Sequence, residues 1–510
     1  MNELNTKRIA KNTLFLYFRM ILTMVVGLYT SRIVLQTLGI ENFGIYNAVG
    51  GFIALFSILS GSLSSSISRF LTFELGVGNQ NKLNKIFSSA VSIQLLLSLI
   101  IIVVAETIGL WFLNTKMNIS ESKLSAANWV FHLSVLTFCI NLVSVPYNAA
   151  IIAHERMAAF AYVSIFEVLC KLGIAWAILV SPIDKLIFYA LLMTLVALLV
   201  RLVYGFYCKK NFKECHYHII FDKGLLLQMF SFAGWNFFGT GAHHLMTHGV
   251  SVLVNVFFGV ALNAARGISM QVDSVLIQFV NNFTVAINPQ ITKSYATGKM
   301  DYLYKLIFGG AKYSFFLLFF FALPIFFEID IILSLWLKNV PEHTANFIRL
   351  SLIASLIHVL SLTMITAMLA TGNIKKYQIV IGSLGMLVFP LSYIAFRAGL
   401  AVETTYVVTI VIFIVNLVCR LFFLKNMIGL SIVKFFRYVL LKIISVTLIS
   451  CIPLCSICFF LEDSLNRFLI VVISGMFFSV ISILYVGLDK DERSFVFDKL
   501  KKIVSDIVKK

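Results

Sequence analysis

Charge is what this sequence has least of. Only 13% of its 510 residues are Asp, Glu, Lys or Arg, about half the share a soluble domain carries. With 60% hydrophobic residues and a mean hydropathy of +0.94, the chain would precipitate from water unless lipid covered most of its surface. A soluble enzyme is excluded. Acid is scarcer still, 23 Asp and Glu against 41 Lys and Arg, for a formal net charge of +18. In a soluble protein such an excess would suggest nucleic acid. No basic patch interleaved with aromatics occurs outside the apolar runs, so no nucleic-acid partner is expected. The 48 Phe suit a lipid-facing surface better than base stacking.

Other absences narrow the class further. The apolar stretch after Lys7, Arg8 and Lys11 has no small-residue cleavage site and is longer than a signal-peptide core, which points to a retained first helix. The eight cysteines are scattered, most of them inside apolar runs such as those holding Cys139, Cys170 and Cys419, and they imply no disulfides. Cys451, Cys455 and Cys458 lie within two helical turns, yet no His or acid completes a metal ligand set. There is no Gly-x-x-x-x-Gly-Lys-Ser/Thr phosphate loop, no pair of carboxylates, and no loop large enough for a folded domain. The longest outer break, from about Asn114 to Ala126, is too short. Neither a cofactor nor an enzymatic activity is expected.

What is present is a series of apolar runs. A bilayer core takes about 20 helical residues. Runs of that size fall near 13–35, 43–67, 86–113, 127–150, 160–181, 186–207, 226–257, 263–289, 306–337, 345–370, 377–398, 404–425, 436–460 and 467–488. Each must be helical, because a lone strand would leave its backbone unpaired in lipid. The expected fold class is all-α integral membrane, with about 14 transmembrane helices. The breaks alternate in charge. One set carries Lys82, Lys85, Arg156, Lys209, Lys210, Lys213, Lys223, Lys293, Lys299, Lys375, Lys376, Lys425 and Lys434, and the other is poor in cations. The positive-inside rule then sets both termini in the cytoplasm. The tail 489–510, with Phe495, Leu500, Ile503, Val504 and Ile507 toward one side, is expected to be a basic amphipathic helix on the cytoplasmic membrane surface.

The chain also repeats itself. At an offset of 220 residues Gly39 meets Gly259, Ile67 meets Ile287, Thr72 meets Thr292 and Gly78 meets Gly298. At an offset of 217 Leu133 meets Leu350, Ser134 meets Ser351, Ser144 meets Ser361, and Ala150 and Ala153 meet Ala367 and Ala370. Two six-helix units result, an N-terminal lobe at 1–224 and a C-terminal lobe at 225–430, followed by two extra helices at 431–488. An even number of helices per unit makes the copies parallel. Transporters built this way hold substrate near the midplane and rock one half against the other.

The stretch Leu38-Gly39-Ile40-Glu41-Asn42-Phe43-Gly44-Ile45-Tyr46, entering a helix that ends in Ser66-Ile67-Ser68-Arg69-Phe70, with Gly78 and Lys82 opening the next, resembles the polysaccharide-type (Wzx-like) flippases of the multidrug/oligosaccharidyl-lipid/polysaccharide (MOP) exporter superfamily. The resemblance extends over nearly the whole chain, six plus six helices and then two more. It implies translocation of undecaprenyl-pyrophosphate-linked oligosaccharide repeat units, of O-antigen (lipopolysaccharide), capsule or exopolysaccharide, across the bacterial cytoplasmic (inner) membrane. Alternating access, a cationic cavity lined by helices 1, 2, 7 and 8, a proton or sodium ion as coupling ion, and proximity to polysaccharide polymerase machinery belong to the same expectation.

Ionisable groups inside spans cost about 2.5–3.5 kcal/mol at a helix centre and usually face a cavity or a partner. Arg19, Arg69 and Arg266 are the expected substrate-binding residues, since a guanidinium offers a planar fork of donors to phosphate oxygens. Snorkelling to an interface is the competing reading for each. Asp273 lies near the midplane of helix 8, and His244 and His248 share a face of helix 7. Asp273 and His244 are candidates for carrying a coupling proton, against the plainer reading of an Asp bonded to Asn or Ser on a neighbouring helix. Glu167 and Lys171 are spaced i, i+4 as a mutually neutralising pair. The main rival function is a MATE-like exporter of cationic drugs, which would need buried carboxylates. The inner helices instead offer one mid-membrane acid, Asp273, against several arginines.

Overall fold

The computed structural model describes residues 3–54, 56–115, 119–220, 222–337, 340–494 and 497. Within them the chain is helical almost throughout, and no strand occurs among the described residues. We number fourteen long helical segments in chain order. Glu3–Ala54 runs as one helix broken at Gly39, so that α1 is 3–38 and α2 is 40–54 with Ser57–Val77. There follow α3 (Gln80–Thr115), α4 (Glu121–Ala153), α5 (Met157–Val180), α6 (Lys185–Asn211), α7 (223–258) and α8 (Val260–Ala296). The remainder are α9 (Met300–Trp336), α10 (Thr344–Thr371), α11 (Lys375–Arg397), α12 (Thr404–Ile428), α13 (Ile432–Phe460) and α14 (Leu465–Gly487).

Eleven of the described helices are long and apolar enough to cross a membrane. Of the others, α7 and α8 are the least apolar. Their Ser, Asn, His, Arg and Asp content lowers their hydropathy, and a helix that shows such groups to hydrocarbon would pay for each one.

The repeat read from sequence reappears in the backbone. Gly39 has φ 78 and ψ 167, and Gly259 has φ 84 and ψ −178, a region only glycine enters without strain. Both divide one helix from the next at equivalent points. Gly78 and Gly298 are likewise equivalent and likewise left-handed, φ 85 and φ 69, closing α2 and α8 in the way helices commonly end.

By contacts the chain forms two compact units that do not follow the lobes. The first comprises Met1–Gly241, Ala286–Lys299 and Gly372–Gln378, and the second the rest. The end of α8 and the start of α11, although late in sequence, pack with the first half. Inside the first unit Ile45, Val49 and Ile53 of α2 meet Ile101 of α3, Val130 and Phe131 of α4 and Leu186 of α6. Inside the second, Val250, Leu253 and Val254 of α7 pack with Phe347 of α10, Val388 and Phe396 of α11, and Ile412 of α12. There α14 and the residues just after it are tied to α9 by charge. Buried Glu328 takes Arg467 Nε at 3.0 Å, and Lys312, 3% exposed, reaches Glu492 at 2.7 Å. Of the tail, Phe495, Leu500, Ile503, Val504 and Ile507 lie outside the described residues.

Candidate functional site

In the first unit the expected binding residues Arg19 and Arg69 both stand among aromatic rings. The Arg19 guanidinium lies 4.8 Å from the centre of the Phe160 ring of α5. That of Arg69 lies 4.7 Å from Phe70, 4.9 Å from Phe73 and 5.8 Å from Phe232 of α7. Ring faces are negative, so they hold a desolvated cation without neutralising it. Arg69 also rests on the turn that ends α10. A Cβ placed on Gly372 would come within 2.6 Å of Arg69 Nη2, so the absence of a side chain there is what admits the guanidinium.

The equivalent turn of the first copy ends α4, and there the chain puts Glu155. The residue is left-handed, φ 59, unusual for a residue with a Cβ, and is 4% exposed. Its carboxylate accepts from Gln290 Nε2 at 2.5 Å and Lys293 Nζ at 2.7 Å, both of α8, and from Arg8 Nη2 at 2.9 Å. Its carbonyl accepts from Asn12 Nδ2 at 3.2 Å. A buried carboxylate survives only when paired and hydrogen-bonded, and here α1 and α8 together supply the partners. Next to it, His154 stacks on Phe212 with ring centres 4.0 Å apart and bonds Glu214 of the strap after α6.

The ends of α2 and α8 meet directly. A Cβ on Gly76 would lie 2.9 Å from the Ala296 Cβ and 3.2 Å from the Lys293 Cα. Gly76 and Ala296 are themselves equivalent at the 220-residue offset, so the copies touch through the same position, as partners do about a twofold axis.

In the second unit Arg266 is 8% exposed. Its Nε donates to Ser251 Oγ at 3.1 Å and its Nη2 to the Thr247 carbonyl at 3.2 Å, with the Tyr406 ring 5.3 Å away. Thr247 lies in a π-helical turn, Leu245–Gly249, of the kind that loosens the regular ladder. Asp273 accepts a hydrogen bond from the Ser355 hydroxyl of α10, and no contact with His244 occurs among the described residues. His244 stacks on His248, ring centres 5.7 Å apart, and His243 stacks on His358 of α10 at 6.1 Å. No group of three or more metal-ligating side chains is found among the described residues. Glu167 and Lys171 pair at 2.6 Å.

Glu155 and Gln290 were not singled out from sequence, and Lys293 only as one of the cations of the basic breaks. A signal existed. The 217-residue offset that pairs Ala153 with Ala370 pairs Glu155, two positions on, with Gly372, a left-handed cap in both copies.

A family model described as polysaccharide biosynthesis protein matches residues 9–293. A curated relative, an uncharacterized membrane protein EpsK of Bacillus subtilis (strain 168), is 20% identical over 151 residues, which span 30% of this chain and 30% of that protein. A solved structure described as the outward-facing conformation of a multidrug resistance MATE family transporter of the MOP superfamily superimposes with a TM-score of 0.71. It is 10% identical and the match covers 83% of this chain and 96% of that one. A MOP superfamily transporter from Pyrococcus furiosus, described as having a binding pocket of reverse polarity that suggests a different function, gives 0.69 at 10% identity over 83% of this chain and 96% of that one. At such identities the likeness concerns the fold.

Proposed function

The chain belongs to the polysaccharide biosynthesis protein family, and from that premise we propose that it moves a polyprenyl-diphosphate-linked oligosaccharide from the inner to the outer leaflet of the bacterial cytoplasmic membrane. Its fold is that of MOP exporters, so the open question is the cargo. The observation that carries the reading is the sign of the groups set inside these helices. Arg69 on α2 and Arg266 on α8, with Arg19 on α1, are cations set among rings or hydroxyls, and the one acid within α7 and α8 is Asp273, bonded to Ser355. Desolvated guanidinium groups suit a diphosphate and repel a cationic drug.

In this reading the basic helix ends face the cytoplasm, and the cycle is alternating access. The contacts of α8 with Glu155 and of α2 with the Gly372 turn then form the fastening that must open to admit cargo from the cytoplasm. Asp273 and His244 remain the residues proposed for proton or sodium coupling. O-antigen, capsule and exopolysaccharide units share the diphosphate, so the reading extends to all three.

The test is a cell lacking the gene, in which lipid-linked repeat units and surface glycan are followed together. Accumulation of lipid-linked units on the cytoplasmic side with surface polymer lost is the expected result. Restoring the gene with Arg19→Ala should leave insertion intact and export abolished. Unchanged glycan with new sensitivity to cationic dyes would move the protein to the drug exporters.

A further inference from the structure

A pocket of about 400 Å³ opens between the start of α1 and the turn joining α4 to α5. Arg8, Lys11 and Arg156 line it, together with Asn12, Glu155 and Phe15. Loose surface cations are ordinarily just solvated. Two features set these apart. Glu155, which could neutralise them, already takes Lys293 and Gln290 besides Arg8, while Lys11 and Arg156 form no ion pair among the described residues. Arg8 is held on the lip by its 2.9 Å contact, so one guanidinium is positioned before any ligand arrives, which lowers the entropic cost of binding.

The apolar side is equally specific. Phe15 meets Tyr162 of α5 edge to face at 5.9 Å, and beside it Leu14 and Phe18 of α1 are exposed. A ligand that filled this place would carry several acceptor oxygens at one end and hydrocarbon at the other. Two arginines and a lysine match the oxygens of a phosphate better than a single carboxylate. Arg19 lies one helical turn beyond Phe15 on the same face of α1, stacked on Phe160, one turn into α5.

The geometry points to this pocket as a docking site for the phosphate or diphosphate headgroup of a lipid, separate from Arg19, Arg69 and Arg266 and preceding them on the way in. The inference rests on the flippase reading for the identity of the lipid as a polyprenyl diphosphate. The site captures the headgroup at the membrane surface, and α1 hands it toward Arg19.

The experiment uses the full chain in nanodiscs of phosphatidylcholine, with polyprenyl diphosphate and inorganic pyrophosphate as separate probes. Binding is measured for the wild type, for Lys11→Gln with Arg156→Gln together, and for Arg156→Gln alone. Both side chains are exposed and unpaired, so the variants should fold. We expect the double variant to bind the lipid roughly tenfold or more weakly and the single variant to fall between, as loss of charge-assisted contacts requires. Unchanged lipid affinity in the double variant overturns the site. If Arg19→Ala loses the lipid in that case, the flippase reading stands without the pocket. Inorganic pyrophosphate bound as tightly as the lipid, with the same dependence on Lys11 and Arg156, retains phosphate recognition and overturns the lipid as its source. Pocket-dependent lipid binding together with unchanged glycan in the deletion cell would keep the site and remove the flippase reading.

Discussion

At the turn ending α4 the chain holds Glu155 in the left-handed backbone region, and at the equivalent turn ending α10 it holds Gly372 in the same region. Each turn receives the end of a helix from the other half of the repeat. The Glu155 turn receives Lys293 and Gln290 of α8, and the Gly372 turn receives Arg69 of α2. In one case a carboxylate reaches out to cations, and in the other an empty position lets a cation come in. Glycine would have served both turns without strain. A residue with a Cβ at this φ costs about 1–2 kcal/mol, and it persists at Glu155 because four donors converge on its carboxylate and carbonyl. The copies thus share a backbone device and differ in chemistry. Only the first can be loosened by a competing anion.

Removing the carboxylate should break the comparison most severely. Glu155→Ala strips Arg8 and Lys293 of their shared partner while keeping the strained backbone. Breaking a buried pair costs about 3–5 kcal/mol, toward the lower end here because Arg8 is half exposed. Glu155→Gly loses the same contacts but recovers the strain, so in detergent its Tm should lie between those of Glu155→Ala and the wild type. Equal Tm values for the two variants would show that the left-handed turn stores no strain. Gly372→Ala tests the other copy from the opposite side. There a side chain is added, at φ 78 and 2.6 Å from Arg69 Nη2, and a loss of about 1–3 kcal/mol is expected. Arg69 must move, so export should fall further than stability alone explains. Full export by Gly372→Ala would detach Arg69 from function. Gly76→Val, pressed on the Ala296 side chain and the Lys293 backbone, should cost about 1–3 kcal/mol by overpacking. It should also expose the ends of α2 and α8 to amide exchange, whereas unaltered exchange would mean that the two ends part freely.

Much of this was legible in the residues. Helix positions follow from apolar runs, and the breaks at Gly39 and Gly259 fall where the 220-residue offset pairs them. Arg19, Arg69 and Arg266 were visible because charge inside an apolar run is costly whatever the fold. Glu155 was not, because an acid in a short polar break between two spans looks like any solvated loop residue. Its burial depends on α8 returning to the first unit, and no local pattern encodes that. Asp273 and His244 show the reverse limit. Their depth could be read from helical rise, but whether they meet depends on how α7 and α8 are rotated. The structure gives Asp273 to Ser355 and His244 to His248. The ties from α9 to Arg467 and Glu492 were hidden for the same reason, each joining residues more than a hundred positions apart.

The smallest expected effect concerns the neighbour of Glu155. His154 bonds Glu214 on the strap after α6, whereas the equivalent of His154 in the second copy is Thr371, bonded to the Met368 carbonyl at 2.7 Å. Burial pushes the Glu214 carboxyl up, but the hydrogen bond and charge of His154, with help from a backbone amide and Gln80, outweigh it and hold its pKa below the ordinary value. A carboxyl depressed by folding contributes stability above its unfolded pKa, near 4.3, and loses that contribution as pH falls through the lower folded value. Amide exchange, corrected for intrinsic rates, should therefore show protection of 150–158 falling as the pH drops below about 4.3. Protection of 367–375, where Thr371 and Gly372 offer no carboxyl, should hold. Glu214→Gln should remove the part of the pH response that the strap supplies, and an equal loss at both turns would mean that acid acts on the whole bundle and not on the carboxylate-built copy.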